Sequence, residues 1–291
     1  MSTPSPACDP DRLGGVIIIG GDMPVGRLGF GAMRLTGPRI WGEPDDPAEA
    51  RRVLRRAIDL GVNFIDTAES YGPHVSETLI AETLYPYPAG LVIATKGGLN
   101  RPAPDRWERD ARPERLRAAC EGSLRRLGLE RIDLYQLHAP DPRVPFEDSL
   151  GTLADLQAEG KIRHIGLSNV GTDQLRDALR HRAIVSVQNR YNLFDRASDD
   201  VLLECERAGI AFLPWRPLAR ASHHAEDARR ETLDRIARRR RATPIQIAIA
   251  WLLARSPMMI PIPGTSSVAH LEENMAAARI ELTPQELREL T

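Results

Sequence analysis

The sequence predicts a closed α/β barrel, the (β/α)8 or TIM-barrel architecture, entered through an N-terminal β-hairpin. Three observations predict it. Eight short apolar runs recur along the chain, each bounded by Gly, Pro or polar residues. Between most of them lie segments with apolar residues at three- and four-residue spacing, the helical period. The chain has 291 residues, and such a barrel needs about 250. Strands alternating with helices imply a parallel sheet joined by right-handed crossovers.

The elements follow in order. Val16 to Ile19 is a short apolar run, GGDMP is a turn, and a second run begins near Arg27, which reads as the hairpin. The eight barrel strands are then read at RLGFGAM, VNFIDTAE, LVIATKG, IDLYQLH, IRHIGLSN, IVSVQNRYN, IAFLPW and MMIPIPG. The first helix is DPAEARRVLRRAIDLG, with Asp46 as N-cap, Pro47 in the first turn and Gly61 at the end. Further helices are expected at RPERLRAACEGSLRRLG, PFEDSLGTLADLQAEG, GTDQLRDALRHR, DDVLLECERAG, one long stretch from about 227 to 255, and VAHLEENMAAARI. An open doubly wound sheet is the rival architecture. It would usually show Gly-x-Gly-x-x-Gly after its first strand. Here Gly29-Phe-Gly31-Ala-Met-Arg34 lacks the third glycine. No linker composition divides the chain, so one domain spanning 1–291 is expected, with 1–14 as a loose leader.

Composition narrows the function. A net charge of −1 gives no electrostatic case for nucleic acid or an anionic membrane. The arginine run at 238–241 reads as the solvated face of a surface helix. Cys8, Cys120 and Cys205 are scattered and odd in number, with no disulfide framework or metal spacing. That suits a reducing cytoplasm. No apolar run approaches the ~20 residues needed to span a bilayer. The N-terminus lacks the pattern of a signal peptide.

One compositional bias points at a site. Of 39 cationic residues only Lys96 and Lys161 are lysine. Lys161 lies in a polar turn, whereas Lys96 ends an apolar strand. A buried lysine can shift its pKa and tune a neighbour, which arginine does not. Barrel chemistry sits where strands end. The second strand end offers Asp66, Glu69 and Tyr71, and the third Lys96. The fourth offers His138, the fifth Ser168 and Asn169, the sixth Gln188 and Asn189, the seventh Trp215. Taken singly, each has an ordinary structural role: a loop cap, a core histidine, a packed indole. Their recurrence at matching strand ends points to a shared site. Tyrosine is a weak acid, with an unperturbed pKa near 10. An adjacent Lys96 ammonium, held charged by Asp66, would lower that pKa. His138 would orient a carbonyl oxygen. No metal-ligand spacing is present.

The motifs GFGAMRL, NFIDTAESYG, IATKGG, DLYQLHAPD, GKIRHIGLSN, VQNRYN, PWRPLA and IPGTSSVAHLEEN together resemble the aldo-keto reductases over almost the whole chain. The resemblance implies the same barrel and an NADPH-dependent reduction of an aldehyde or ketone to the alcohol. It implies Tyr71 as general acid, Lys96 and Asp66 as its tuning pair, and His138 as the substrate-orienting member. It implies that Ser168, Asn169 and Gln188 hold the nicotinamide carboxamide and that the ring stacks on Trp215. Gly31, Ala32 and Met33 and the Arg216-Pro217-Leu218 segment fall on cofactor-contacting motifs. Gly264, Thr265, Ser266, Ser267 and His270 match the loop around the 2′-phosphate, and Glu273 and Asn274 the adenine contacts.

One departure bears on the cofactor. Many members carry a cation just after the Gly-Thr of that loop and an arginine where His270 stands. Ser266 and His270 stand here. A helix N-terminus and hydroxyls can still hold a phosphate, and Arg216 or Arg220 is a candidate cation. NADPH is expected over NADH, with NADH possible. The substrate pocket is expected around Trp41, Tyr71, Trp107 and His138, with Tyr85, Tyr87, Phe146 and Phe194 as further aromatic candidates. RIWGEPDDPAEA and YGPHVSETLIAETLYPYP resemble the pyridoxal reductase branch. The other readings are a weakly active cofactor-binding sensor or accessory subunit, and a sugar-phosphate isomerase, against which the Pro- and Arg-bearing PWRPLARAS speaks. A small-molecule carbonyl partner and a monomer are expected.

Overall fold

The computed structural model describes residues 13–218 and 228–291. Arg220, the start of the helix expected from 227 and all but the last two residues of the expected leader lie outside them. The chain opens with a hairpin, β1 (Val16–Ile19) and β2 (Met23–Gly26). The second strand therefore starts four residues earlier than Arg27. The Arg27 guanidinium instead donates to Leu253 O and Ser256 O, both at 2.6 Å, and anchors the hairpin to a later helix.

Strands and helices then alternate. In chain order they are β3 (Phe30–Gly31), α1 (Pro47–Asp59), β4 (Phe64–Asp66), α2 (Val75–Leu84) and β5 (Val92–Gly97). A second hairpin follows, β6 (Leu99–Ala103) and β7 (Arg106–Arg109). Next come α3 (Pro113–Leu127), β8 (Ile132–Leu137), α4 (Phe146–Ala158), β9 (Ile162–Ser168), α5 (Thr172–His181) and β10 (Ile184–Arg190). The chain ends with α6 (Asp199–Ala208), β11 (Ala211–Trp215), α7 (Ala228–Arg240), α8 (Pro244–Arg255), α9 (Val268–Ala276) and α10 (Pro284–Leu290). Seven strands form one sheet in the order β11-β10-β9-β8-β5-β4-β3, and every neighbouring pair is parallel. The architecture is the predicted α/β barrel.

The eighth strand is where expectation and structure part. MMIPIPG lies between β11 and β3 but forms no continuous ladder. Phe212 N donates to Met258 O and Ile260 N to Phe212 O on one side. Gly29 N donates to Pro261 O at 3.0 Å on the other. Pro261 and Pro263 have no N–H to return a bond, so this segment closes the barrel mainly through its carbonyls. The closure is tight. A Cβ at Gly31 would meet Ile262 O at 2.6 Å, and one at Gly264 would meet Gly31 O at 2.5 Å. The long helix expected to 255 is two helices, because Thr243 caps a new one with Pro244 in its first turn. α2, α10 and the β6–β7 hairpin were not expected. Among the described residues no helix is long and apolar enough to cross a membrane.

Strand periodicity places the site. Side chains two apart share a face. Phe64, Ala94, Leu134, Ala211 and Leu213 join Ile17, Ile19, Met23 and Val25 of the hairpin in one buried cluster inside the barrel. The hairpin thus closes the N-terminal end. His164 Nε2 meets Asp22 Oδ1 there at 2.7 Å. Two residues further along the same faces stand Asp66, Lys96, Gln136 and Trp215. The inward face is apolar at its base and polar at its mouth. The outer faces of β8, β9 and β10 pack on the surrounding helices through Tyr135, Leu167 and Val187.

Candidate active site

Asp66 ends β4 and Lys96 stands one residue before the end of β5, on adjacent strands. Lys96 Nζ donates to both Asp66 oxygens, at 2.8 and 2.7 Å, and to Thr67 O at 2.7 Å. Three ammonium hydrogens meet three acceptors, so a wholly buried charge is fully bonded. Burial alone pushes the Lys96 pKa down, and the Asp66 carboxylate opposes it. Gln136 and Gln188 also donate to Asp66 Oδ1, at 3.2 and 2.8 Å. Asp66 is therefore the hub of the barrel mouth.

Tyr71 lies in the loop after β4. The Lys96 ammonium is 5.3 Å from its ring centroid. His138, one residue beyond β8, meets the Tyr71 ring edge-on at 5.9 Å. The four expected residues are thus brought together. The expected direction of tuning is not met. Burial, and then Asp66, push the Tyr71 pKa well above its ordinary value. The Lys96 charge, paired with Asp66, does not outweigh them. His138 is pushed well below its ordinary value by burial and then by Lys96, so its imidazole is neutral at pH 7. Its Nδ1 lies 3.4 Å from Ser70 Oγ.

Glu69, named beside them, faces elsewhere. It pairs with Arg115 at 2.9 Å, and burial raises its pKa to about 7.

A cleft of about 470 Å³ opens beside this group. Gly31, Met33, Asp66, Gln188, Trp215, Arg216, Pro217, Leu218 and Gly264, all expected at the cofactor, line it, together with Tyr71. Arg34 and Arg190 line it too and were not foreseen. Ala32 is fully buried and does not line it. Ser168 and Asn169 do not line it either. Asn169 takes a left-handed backbone (φ 59°) and donates to His138 O at 2.9 Å, while Trp215 Nε1 donates to Asn169 Oδ1 at 3.1 Å.

Thr265, Ser266, His270, Glu273 and Asn274 do not line that cleft. Ser266 and His270 are exposed. Glu273 Oε1 accepts from Thr243 Oγ1 at 2.5 Å, so its carboxylate serves the cap of α8. The first N–H of α9, at Val268, donates to Glu49 Oε1 from α1 at 3.0 Å.

Among the aromatics, Trp107 reaches the site edge, with its ring 6.4 Å from that of His138. Trp41 stands behind it across Arg101. Tyr85 and Tyr87 follow α2 and precede β5, at the far end of the strand from Lys96, and Tyr87 donates to Leu127 O at 2.7 Å. Phe146 and Phe194 pack on the outer core. Tyr87, Phe146 and Phe194 are packing residues, and Tyr85 is exposed. Among the described residues no cluster of three His, Cys, Asp or Glu could hold a metal ion.

A family model described as the aldo/keto reductase family matches residues 27–291. The chain belongs to that family. It is an oxidoreductase whose chemistry is carbonyl reduction. It is 48% identical over 281 residues to an uncharacterized oxidoreductase of Schizosaccharomyces pombe, covering 97% of this chain and 90% of that one. It is 44% identical over 277 residues to pyridoxine 4-dehydrogenase of Escherichia coli, covering 93% and 95%. Among solved structures, an aldo-keto reductase from Klebsiella pneumoniae in complex with NADPH superposes with a TM-score of 0.80 at 27% identity, covering 94% of this chain and 93% of that one.

Proposed function

We propose that the chain reduces an aldehyde or ketone to the alcohol with NADPH, and that Tyr71 gives the proton. The observation that carries this is the grouping of Tyr71, Lys96, Asp66 and His138 at the barrel mouth, where Asp66 and Tyr71 line the 470 Å³ cleft. The cleft suits the cofactor: Trp215 offers a ring to stack on, and Arg34, Arg190 and Arg216 offer charge to phosphates. Gln188, Ser168 and Asn169 would hold the carboxamide. When bound, NADPH supplies the hydride.

The protein groups supply the rest. A neutral His138 can donate one ring N–H to the carbonyl oxygen and fix its direction. Burial keeps the Tyr71 phenol protonated across the neutral range, so its proton is present when the oxygen gains charge. Once that proton leaves, the phenolate stands near the Lys96 ammonium, which favours it. Asp66, pinned by Gln136 and Gln188, keeps the ammonium in place.

A second, narrower reading is reduction of pyridoxal. It is favoured by the 44% identity to pyridoxine 4-dehydrogenase and by the YGPH segment.

Tyr71→Phe tests the main reading. Turnover should be lost while NADPH still binds, measured by tryptophan fluorescence. Turnover near that of the unaltered protein would refute the assignment.

A further inference from the structure

Arg101 stands in β6 with 6% of its surface exposed. Its guanidinium lies 3.8 Å from the Trp107 ring centroid and 5.6 Å from that of Trp41. Nη2 donates to Arg39 O at 3.1 Å. Nε and Nη1 are shut off from solvent and have no partner. The acid nearest in charge, Asp105, is already paired with Arg39 at 2.9 Å. A buried guanidinium that stacks on indoles but leaves two N–H groups without acceptors is costly and therefore rare. A planar guanidinium with two open N–H groups matches an oxyanion, which can accept both.

The location gives that geometry a use. The β6–β7 hairpin leaves β5 directly after Lys96 and Gly97. Trp107, on the same hairpin, faces His138. Arg101 lines a second cavity of about 280 Å³ that also includes Ser70, Asn100, Arg115, Glu69 and Glu108. Ser70 touches His138 Nδ1, so this cavity adjoins the carbonyl-orienting residue. Arg115 is committed to Glu69 at 2.9 Å and to Asn100 at 2.7 Å. Arg101 is the guanidinium left over.

We infer that Arg101 is an anion subsite for the substrate, and that this enzyme favours carbonyl compounds carrying an oxyanion. The inference rests on Tyr71 and His138 being the carbonyl site. A ring carboxylate and an ionised ring hydroxyl share the chemistry, so three substrates separate the sources: 4-carboxybenzaldehyde, pyridoxal and benzaldehyde.

Steady-state rates with NADPH provide the test. The unaltered enzyme should show a higher kcat/KM for at least one anionic aldehyde than for benzaldehyde. Which of the two it is identifies the source. Arg101→Gln should lower the anionic-to-neutral ratio about tenfold or more, mainly through KM, as expected for a lost charged hydrogen bond. Arg101→Lys keeps the charge without the fork and should fall between. It carries the test if the glutamine variant does not fold. No anionic preference in the unaltered enzyme, or an equal loss on all three substrates, overturns the inference. The Tyr71→Phe outcome is separate: retained turnover there refutes the carbonyl site itself.

Discussion

Gln188 donates its side-chain amide to Asp66 across the mouth of the barrel, at 2.8 Å and 122 residues away in sequence. The donor stands on β10 and the acceptor on β4. A residue expected to hold the cofactor's carboxamide thus also holds the carboxylate that pairs with Lys96. Through this bond the cleft that Gln188 lines and the ion pair beside Tyr71 share one atom, Asp66 Oδ1, which Gln136 and Lys96 also engage. Occupancy of the cleft and the charge balance beside Tyr71 are therefore physically joined.

The Lys96–Asp66 pair predicts a split between stability and activity. Lys96→Met leaves a carboxylate buried with only amide donors. Breaking a buried pair from one side costs about 3–5 kcal/mol. The midpoint of thermal unfolding should fall clearly and turnover should be lost. The double variant Lys96→Met/Asp66→Leu removes both charges and should recover much of the midpoint without activity. A single variant as stable as the parent would show that the pair is not held as described.

Glu69 predicts a pH dependence of stability. Burial raises its pKa from an ordinary 4.5 to about 7 in the folded protein, against the pull of Arg115. The folded form therefore keeps a proton that the unfolded chain releases at lower pH. Its contribution is full below about pH 4.5, falls as pH rises and is gone above about pH 7. Glu69→Gln cannot release a proton, so the midpoint of thermal unfolding should depend less on pH between those values. Identical slopes in the two proteins would contradict the assignment.

What the sequence shows best is what period and punctuation encode. The inward residues of β4, β5 and β8 read directly, because alternation places Asp66, Lys96 and Gln136 two positions beyond Phe64, Ala94 and Leu134. Proline misled and informed at once. MMIPIPG has the strand's apolar pattern, but Pro261 and Pro263 remove the donors a ladder needs. Thr243-Pro244 divides a run whose helical period continues on both sides. The β6–β7 hairpin was hidden because LNRPAPDRWER has little apolar alternation. Its strands are held by backbone pairing and by Arg101 between two indoles. The signal for Arg101 was one arginine flanked by Trp41 and Trp107, which only tertiary structure brings together. α2 was missed for a different reason: its apolar positions are spread around the helix, as suits a helix buried between α1 and α3.

Glu49 predicts how the enzyme weighs its two possible cofactors. The family resemblance places the adenosine 2′-phosphate around Thr265 to His270, at the start of α9. A helix N-terminus attracts anions because its first N–H groups are unpaired and its dipole is positive there. Here one of those groups, at Val268, is taken by the Glu49 carboxylate at 3.0 Å. That bond, and then Arg52, holds the Glu49 pKa below its ordinary value, so the charge persists at neutral pH. Arg52, at 2.7 Å, offsets part of that charge, and no lysine or arginine between residues 264 and 276 adds a cation on the α9 side. A fixed negative charge beside the expected phosphate should weaken NADPH and leave NADH, which has only a ribose hydroxyl there, nearly untouched. Glu49→Gln keeps the shape and the acceptor and removes the charge. The ratio of dissociation constants should shift toward NADPH about two- to fivefold, the scale of a single charge at a helix end. Fluorescence titration with both cofactors measures it, and an unchanged ratio would place the 2′-phosphate away from this helix.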